Sequence, residues 1–341
     1  MCALLRKRRR PAPPSTLEPC GAALALDDAT VRGWPLPPAV PPPTAPAPTM
    51  PPPLAASGAG PARGLLLVVD GARAISSAAL LAANGALQAG AGQLTIACAA
   101  SAVRPLALAL SAARVIGIPE SADGAVTCDT LAALLALGAT ARAVLIGPGL
   151  PAAAAAALAR ALLAPLAHAG VVLDAGGASI LPTSEPPATA TAGHTTTRLV
   201  TLCTDELAEL SGSSRRQIAS DPARHALEAA RRWHAVIALH GTRSVVCAPD
   251  GSSWQHEDGH AGADHDRDRA GAGAALAGVI AGLIARGAGL AQAACWAIVV
   301  HAHARRQLNA GVPAGAPAGA PISEQRVLEA IPALIRHLAH Q

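Results

Sequence analysis

Four stretches of the chain put glycine or short polar residues where an apolar run gives way to a helical one. They are Asp70-Gly71-Ala72-Arg73, Gly147-Pro148-Gly149, Thr201 to Glu206, and Arg269-Ala270-Gly271-Ala272-Gly273-Ala274. The last opens a long helical pattern. Glycine-rich backbone at a helix N-terminus offers free N–H groups and a positive dipole end, so it can hold an anion such as a phosphate. Read alone, the GAGA stretch is equally an ordinary close-packed helix start in a chain rich in alanine and glycine.

Missing residue types narrow the chemistry. The sequence has no Tyr and no Phe, and Lys7 is its only lysine. A tyrosine-dependent mechanism is excluded, as are a Gly-Lys-Ser/Thr phosphate loop and Schiff-base chemistry beyond the N-terminal segment. With four Trp as its only aromatics, the chain lacks the stacking platform of a single-strand nucleic-acid binder. The net charge of +4 concentrates in Arg6 to Arg10, so it marks a basic tail and no nucleic-acid groove. Seven cysteines without a CxxC pair suggest neither a disulfide framework nor a zinc finger; reduced thiols in a cytoplasmic protein are the expectation. Gly271 to Ala285 is too short for a membrane span. His256, His260 and His265 share a polar loop with Asp264, Asp266 and Asp268, but their spacing defines no metal geometry, and no metal site is assigned.

The elements that must position these stretches follow from periodicity. Continuous apolar runs at Leu65–Val69, Leu94–Ala97, Val144–Ile146, Val171–Leu173, Leu199–Leu202, Val236–Leu239 and Ser244–Cys247 read as strands buried on both faces. Helices are expected near 77–88, 151–168, 222–234, 272–286, 290–309 and 322–340, with another opened by Asp205 and Glu206. This alternation predicts an α/β fold, a mostly parallel central sheet with helices on both faces. Residues 1–60 form a Pro-rich, largely disordered leader, with one helical turn near Leu26 to Trp34 that docks on the domain. Residues 61–310 form that domain. Residues 311–341 are a Pro/Gly linker and a last helix.

The wording of the segments adds a resemblance. Gln88 to Thr95 (QAGAGQLT), Ile146 to Leu150 (IGPGL), Leu173 to Ala175 (LDA), Thr201 to Leu210 (TLCTDELAEL), Leu239 to Gly251 (LHGTRSVVCAPDG), Gly271 to Gly282 (GAGAALAGVIAG) and His301 stand in the order of the motifs of the NAD(P)H-hydrate dehydratases. The chain resembles this family, a repair branch of the ribokinase-like superfamily, across about residues 64–305. The resemblance implies a ribokinase-like three-layer sandwich. It also implies an activity: ADP or ATP phosphorylates the ring hydroxyl of hydrated NADH or NADPH, and loss of phosphate restores the double bond. Mg²⁺ accompanies the nucleotide, and the family commonly forms homo-oligomers.

By the same resemblance His240, Gly241, Thr242, Arg243, Ser244, Gly271 and Gly273 would bind nucleotide. Ala78, Gly149, Cys203 and Glu206 would face the substrate. Glu206 also suits a helix first turn, where a carboxylate offsets the dipole. Ala274 stands where the family has the aspartate of GTGD, its base. His240 replaces the loop lysine, Cys203 and Thr204 replace a His-Pro pair, and Gly176 replaces the second aspartate of LDAD. Asp268, or Asp266, could swing in as a substitute base, or the loop is simply a solvated charged segment. Two other readings stay open: a non-catalytic relative that at most binds nucleotide, and another ribokinase-like small-molecule kinase. Ala274 counts against the latter as it does against the dehydratase.

Overall fold

The structure is a computed structural model. It describes residues 23–39, 64–70, 77–120, 131–150, 152–183, 197–257, 271–310 and 322–340. The elements run in order β1 (Leu24–Ala25), α1 (Asp28–Arg32), β2 (Leu65–Val69), α2 (Ser77–Gln88), β3 (Gln93–Ala99), α3 (Val103–Ala109), β4 (Ala113–Ile118), α4 (Leu131–Gly138), β5 (Ala143–Ile146), α5 (Ala152–Leu163) and β6 (Gly170–Leu173). They continue with β7 (Arg198–Leu202), α6 (Thr204–Ser211), α7 (Arg215–Ser220), α8 (Pro222–Trp233), β8 (Val236–Leu239), β9 (Arg243–Cys247), β10 (Ser253–Glu257), α9 (Ala272–Arg286), α10 (Leu290–Ala310) and α11 (Glu324–His340).

One sheet holds all these strands, in the order β1-β10-β9-β8-β7-β6-β5-β2-β3-β4. Pairing is parallel from β8 through β4, and β9 is antiparallel to both of its neighbours. In β5, β7 and β8 every residue is buried, which requires helices on both faces of the sheet. The result is the expected α/β three-layer architecture. Parallel pairing also brings the carboxyl ends of β8, β7, β6, β5 and β2 side by side at one edge, where ligands of such sheets bind.

Two helices are held against this edge by alanine and glycine. A Cβ placed on Gly278 of α9 would lie 2.0 Å from the Ala82 carbonyl oxygen of α2, and one on Gly282 would lie 2.5 Å from that of Ala86. On the facing side, a Cβ on Gly85 would lie 2.7 Å from the Ala275 carbonyl oxygen. The two backbones therefore touch, and their N-termini reach the sheet edge together. Helix α9 is buried from Ala274 to Arg286, as an all-apolar helix must be. The alanine-rich composition permits this packing.

Several boundaries differ from those read off the sequence. Helix α5 ends at Leu163 and not near 168, because Pro165 lacks an N–H and disfavours helical geometry at Ala164. The docked part of the leader is longer than one turn and spans residues 23–39. Strand β1 pairs with β10, and α1 is capped by Asp27, whose Oδ1 accepts the Thr30 N–H at 2.9 Å. The carbonyls of Trp34, Pro35 and Pro37 accept from Trp296 Nε1, Gln292 Nε2 and Arg286 Nε. Helix α11 likewise packs on α10 and α2, so the last helix belongs to the same folded body. Among the described residues no helix is long and apolar enough to cross a membrane.

Candidate functional site

A cleft of about 290 Å³ opens at the carboxyl edge of the sheet. Its floor is the row of strand ends: Pro148 and Gly149 after β5, Asp174 and Ala175 after β6, Cys203 to Glu206 after β7, and His240 after β8. Its opposite wall is Ala78 of α2 with Gly271, Gly273 and Ala274 of α9. Thus Ala78, Gly149, Cys203, Glu206, His240, Gly271, Gly273 and Ala274, scattered over nearly 200 residues of sequence, meet in one place. Gly241 and Ser244 line a smaller adjoining cavity of about 30 Å³, with His240, His256, His301 and Arg305. Thr242 and Arg243 line neither. Arg243 reaches the carbonyls of Ala219 and Ser220 at the end of α7. Asp266, Asp268, His260 and His265 lie outside the described residues.

Three helix N-termini converge on the cleft, those of α2, α6 and α9. At α9 the N-cap Gly271 has φ +89 and makes no side-chain cap; glycine adopts that left-handed conformation without strain. The helical ladder opens with the Ala275 N–H donating to the Gly271 carbonyl at 2.9 Å. The N–H groups of Ala272, Gly273 and Ala274 precede it and have no intrahelical acceptor. Gly273 keeps the cradle open, because a Cβ there would sit 3.1 Å from His240 Nε2. The imidazole thus stands directly over the first turn of α9. Backbone donors, a dipole end and an imidazole meet at this spot, an arrangement able to accept an anion.

The acidic groups of the cleft divide by their partners. Asp205 is paired with Arg215 at 2.5 Å. Glu206 Oε2 accepts the Cys203 backbone N–H at 2.8 Å, so it closes the N-terminus of α6, as its first-turn position suggests, and it also lines the cleft. Asp174 accepts the Thr201 hydroxyl at 2.6 Å. Burial pushes its carboxyl up to about 7, and the nearby Glu206 charge adds to the rise, against the Thr201 hydrogen bond. The sequence puts Asp174 at a strand end and within the LDA stretch that resembles the family, with no role; its burial beside the cleft is a tertiary property that no spacing signals. The Cys203 thiol is pushed up to about 11, first by burial and then by Glu206, so it stays protonated and is no thiolate nucleophile.

Two histidines of α10 have structural partners. His301 Nε2 lies 2.9 Å from Glu324 Oε2, and His303 Nε2 lies 2.6 Å from Asp28 Oδ1. Arg305 joins Glu324 as well. Among the described residues no group of three His, Cys, Asp or Glu side chains could hold a metal ion. The described residues of the cleft build no protein cage for Mg²⁺, which more usually arrives on nucleotide phosphates with one or two carboxylates.

Comparison with known proteins agrees with this geometry. The sequence profile of the NAD(P)H-hydrate dehydratases matches residues 66–318. An ADP-dependent (S)-NAD(P)H-hydrate dehydratase of Xanthomonas campestris is 37% identical over 248 residues, covering 72% of this chain and 81% of that protein. A bifunctional NAD(P)H-hydrate repair enzyme of Moorella thermoacetica is 33% identical over 66% of this chain, but only 41% of its own length is matched. Among solved structures, an ADP/ATP-dependent NAD(P)H-hydrate dehydratase of Bacillus subtilis superposes with a TM-score of 0.66 at 21% identity, covering 93% of this chain and 99% of that one. A ribokinase-like protein of Enterococcus faecalis gives 0.63 at 19% identity, covering 81% and 88%. These two likenesses fix the fold as ribokinase-like. With the profile spanning most of the domain and a relative this similar over most of both chains, the chain belongs to the NAD(P)H-hydrate dehydratase family.

Proposed function

We propose that the chain is a nucleotide-dependent (S)-NAD(P)H-hydrate dehydratase whose turnover is slowed by the loss of one group. The observation that carries this reading is the open backbone cradle at Gly271–Ala274, facing the strand ends across the cleft. The cradle and His240 hold the phosphates of ADP or ATP, with Gly241 and Ser244 behind them and Thr242 and Arg243 completing the loop. Ala78, Gly149, Cys203 and Glu206 frame the hydrated nicotinamide ring. The ring hydroxyl attacks the terminal phosphorus of the nucleotide and loses its proton. The new phosphate ester then leaves as inorganic phosphate, a proton leaves the neighbouring ring carbon, and the double bond returns. Mg²⁺ supplies charge neutralisation on the nucleotide phosphates when bound.

Ala274 favours a second reading. It lines the cleft with a methyl group, which accepts no proton, so a protein that binds nucleotide without turning it over is the alternative. Both readings need the cradle. Equilibrium titration with ADP therefore tests the part they share. Gly273→Val sets a branched side chain against His240 and covers the N–H groups behind it. One lost charge-assisted hydrogen bond is worth about 1.5–3 kcal/mol, so ADP affinity should fall roughly 10- to 100-fold. Unchanged affinity would remove the nucleotide from this end of α9.

A further inference from the structure

Three carboxylates line the cleft among its described residues, and Asp174 is the one that is buried. Asp205 is paired with Arg215, and Glu206 is bonded to the backbone of Cys203. Asp174 sits at the end of β6, between β5 and β7 in the floor, and lines the cleft with Ala274. Its backbone is pinned: its N–H donates to the Ile146 carbonyl at 2.9 Å, and its own carbonyl accepts from Gly177 at 2.9 Å. Its side chain is aimed by the buried Thr201 hydroxyl, which donates to Oδ1 at 2.6 Å. The next residue, Ala175, has φ +46, a left-handed conformation that costs a non-glycine residue on the order of 1 kcal/mol and gathers at functional sites.

We propose that Asp174 takes the proton of the substrate's ring hydroxyl in this chain, doing the work of the base that Ala274 cannot. This rests on the dehydratase reading above. In the step, the hydroxyl oxygen bonds to the terminal phosphorus as the bond from phosphorus to the bridging nucleotide oxygen breaks. The hydroxyl proton passes to the Asp174 carboxylate, and the nucleotide leaves one phosphate shorter. The other titratable groups lining the cleft are Cys203, Asp205 and Glu206 around the start of α6, and His240 after β8; Glu206 is the one whose charge raises the Asp174 carboxyl.

The account has signatures beyond loss of rate. A base must be ionised, so wild-type kcat should rise with pH through about 7. Thr201→Val removes the hydrogen bond that holds the carboxyl down, and should move that rise to higher pH. Asp174→Asn should lower kcat by about 10²–10⁴, abolish the rise, and leave the stabilisation by ADP unchanged. Stability gives an independent sign. A carboxyl raised by folding contributes most below its unfolded pKa of about 4, and its contribution is lost as pH rises through about 7. Asp174→Asn should therefore melt no lower than wild type in alkaline buffer.

The experiment is nucleotide-dependent recovery of NADH from its hydrate, with wild type, Asp174→Asn and Thr201→Val assayed from roughly pH 5 to 9. Wild-type rate and profile in Asp174→Asn would overturn the assignment of the base alone. No recovery by any of the three, with ADP still bound, would overturn the dehydratase reading and the base with it. If Asp174→Asn does not fold, Thr201→Val decides: an unmoved profile overturns the assignment.

Discussion

Ala274→Asp should raise nucleotide-dependent turnover by about 10²-fold. A general base contributes about 10²–10⁴, and Asp174 already supplies part of this, which sets the gain at the low end. The position tolerates the change. Ala274 is the third residue of α9 and faces the cleft, so the carboxylate enters open volume and lies in a helix first turn, where negative charge is stabilising by about 0.3–1 kcal/mol. The variant also makes a coupled prediction. With an aspartate at 274, Asp174→Asn should cost little, because the proton has a second acceptor; alone, it should nearly abolish turnover. Additive losses in the two backgrounds would show that the residues do not share one task. An Ala274→Asp protein that folds, binds ADP and gains nothing would mean that the remaining cleft no longer positions the substrate.

Gly278→Ala should be strongly destabilising although it adds a single methyl. The added carbon would fall 2.0 Å from the Ala82 carbonyl oxygen and 2.6 Å from its Cα. These are backbone atoms of α2 and cannot rotate away. Overpacking typically costs 1–3 kcal/mol where side chains can adjust; here two helices must part, and roughly 3 kcal/mol or more is expected. For a domain of this size that is a fall in Tm on the order of 10 °C. Because α2 and α9 carry opposite halves of one cleft wall, ADP affinity should fall with it. Gly289→Ala is the control: a Cβ there meets nothing within 4 Å, and its effect should stay within about 0.5 kcal/mol. Equal melting of the two variants would contradict the close approach of α2 and α9.

The parts of this molecule that were readable in advance share a physical cause. Strands β2, β5, β6, β7 and β8 are covered on both faces, so they read as unbroken apolar runs. Helices α9 and α10 are long and bounded by glycine. Strands toward the two edges of the sheet were not found. β4 is only half-buried and carries Arg114, and β10 reads Ser-Trp-Gln-His-Glu, since partial exposure lets polar residues into a strand. The cleft was legible residue by residue where glycines and loops align with the family's wording, as at Gly149 and Gly273, and at His240 in place of the loop lysine. Asp174 falls in the matching LDA stretch, but its role was not legible, because what distinguishes it is burial, the Thr201 hydroxyl and the neighbouring Glu206, brought together by parallel pairing of β6 and β7. The leader was read as mostly disordered because proline excludes regular structure. Carbonyls of a proline segment still accept hydrogen bonds, and Arg286, Gln292 and Trp296 use them to hold residues 34–37 on the domain.

The most direct test of the account is a single assay. Purified protein is incubated with hydrated NADH and either ADP or ATP, and the return of reduced-nicotinamide absorbance is followed, with the Xanthomonas campestris relative as the working standard. The account predicts slow recovery that requires the nucleotide and stops without it. No recovery above the nucleotide-free control, while the relative restores NADH under the same conditions, would contradict it and leave a member of the family that has kept the fold and lost the reaction.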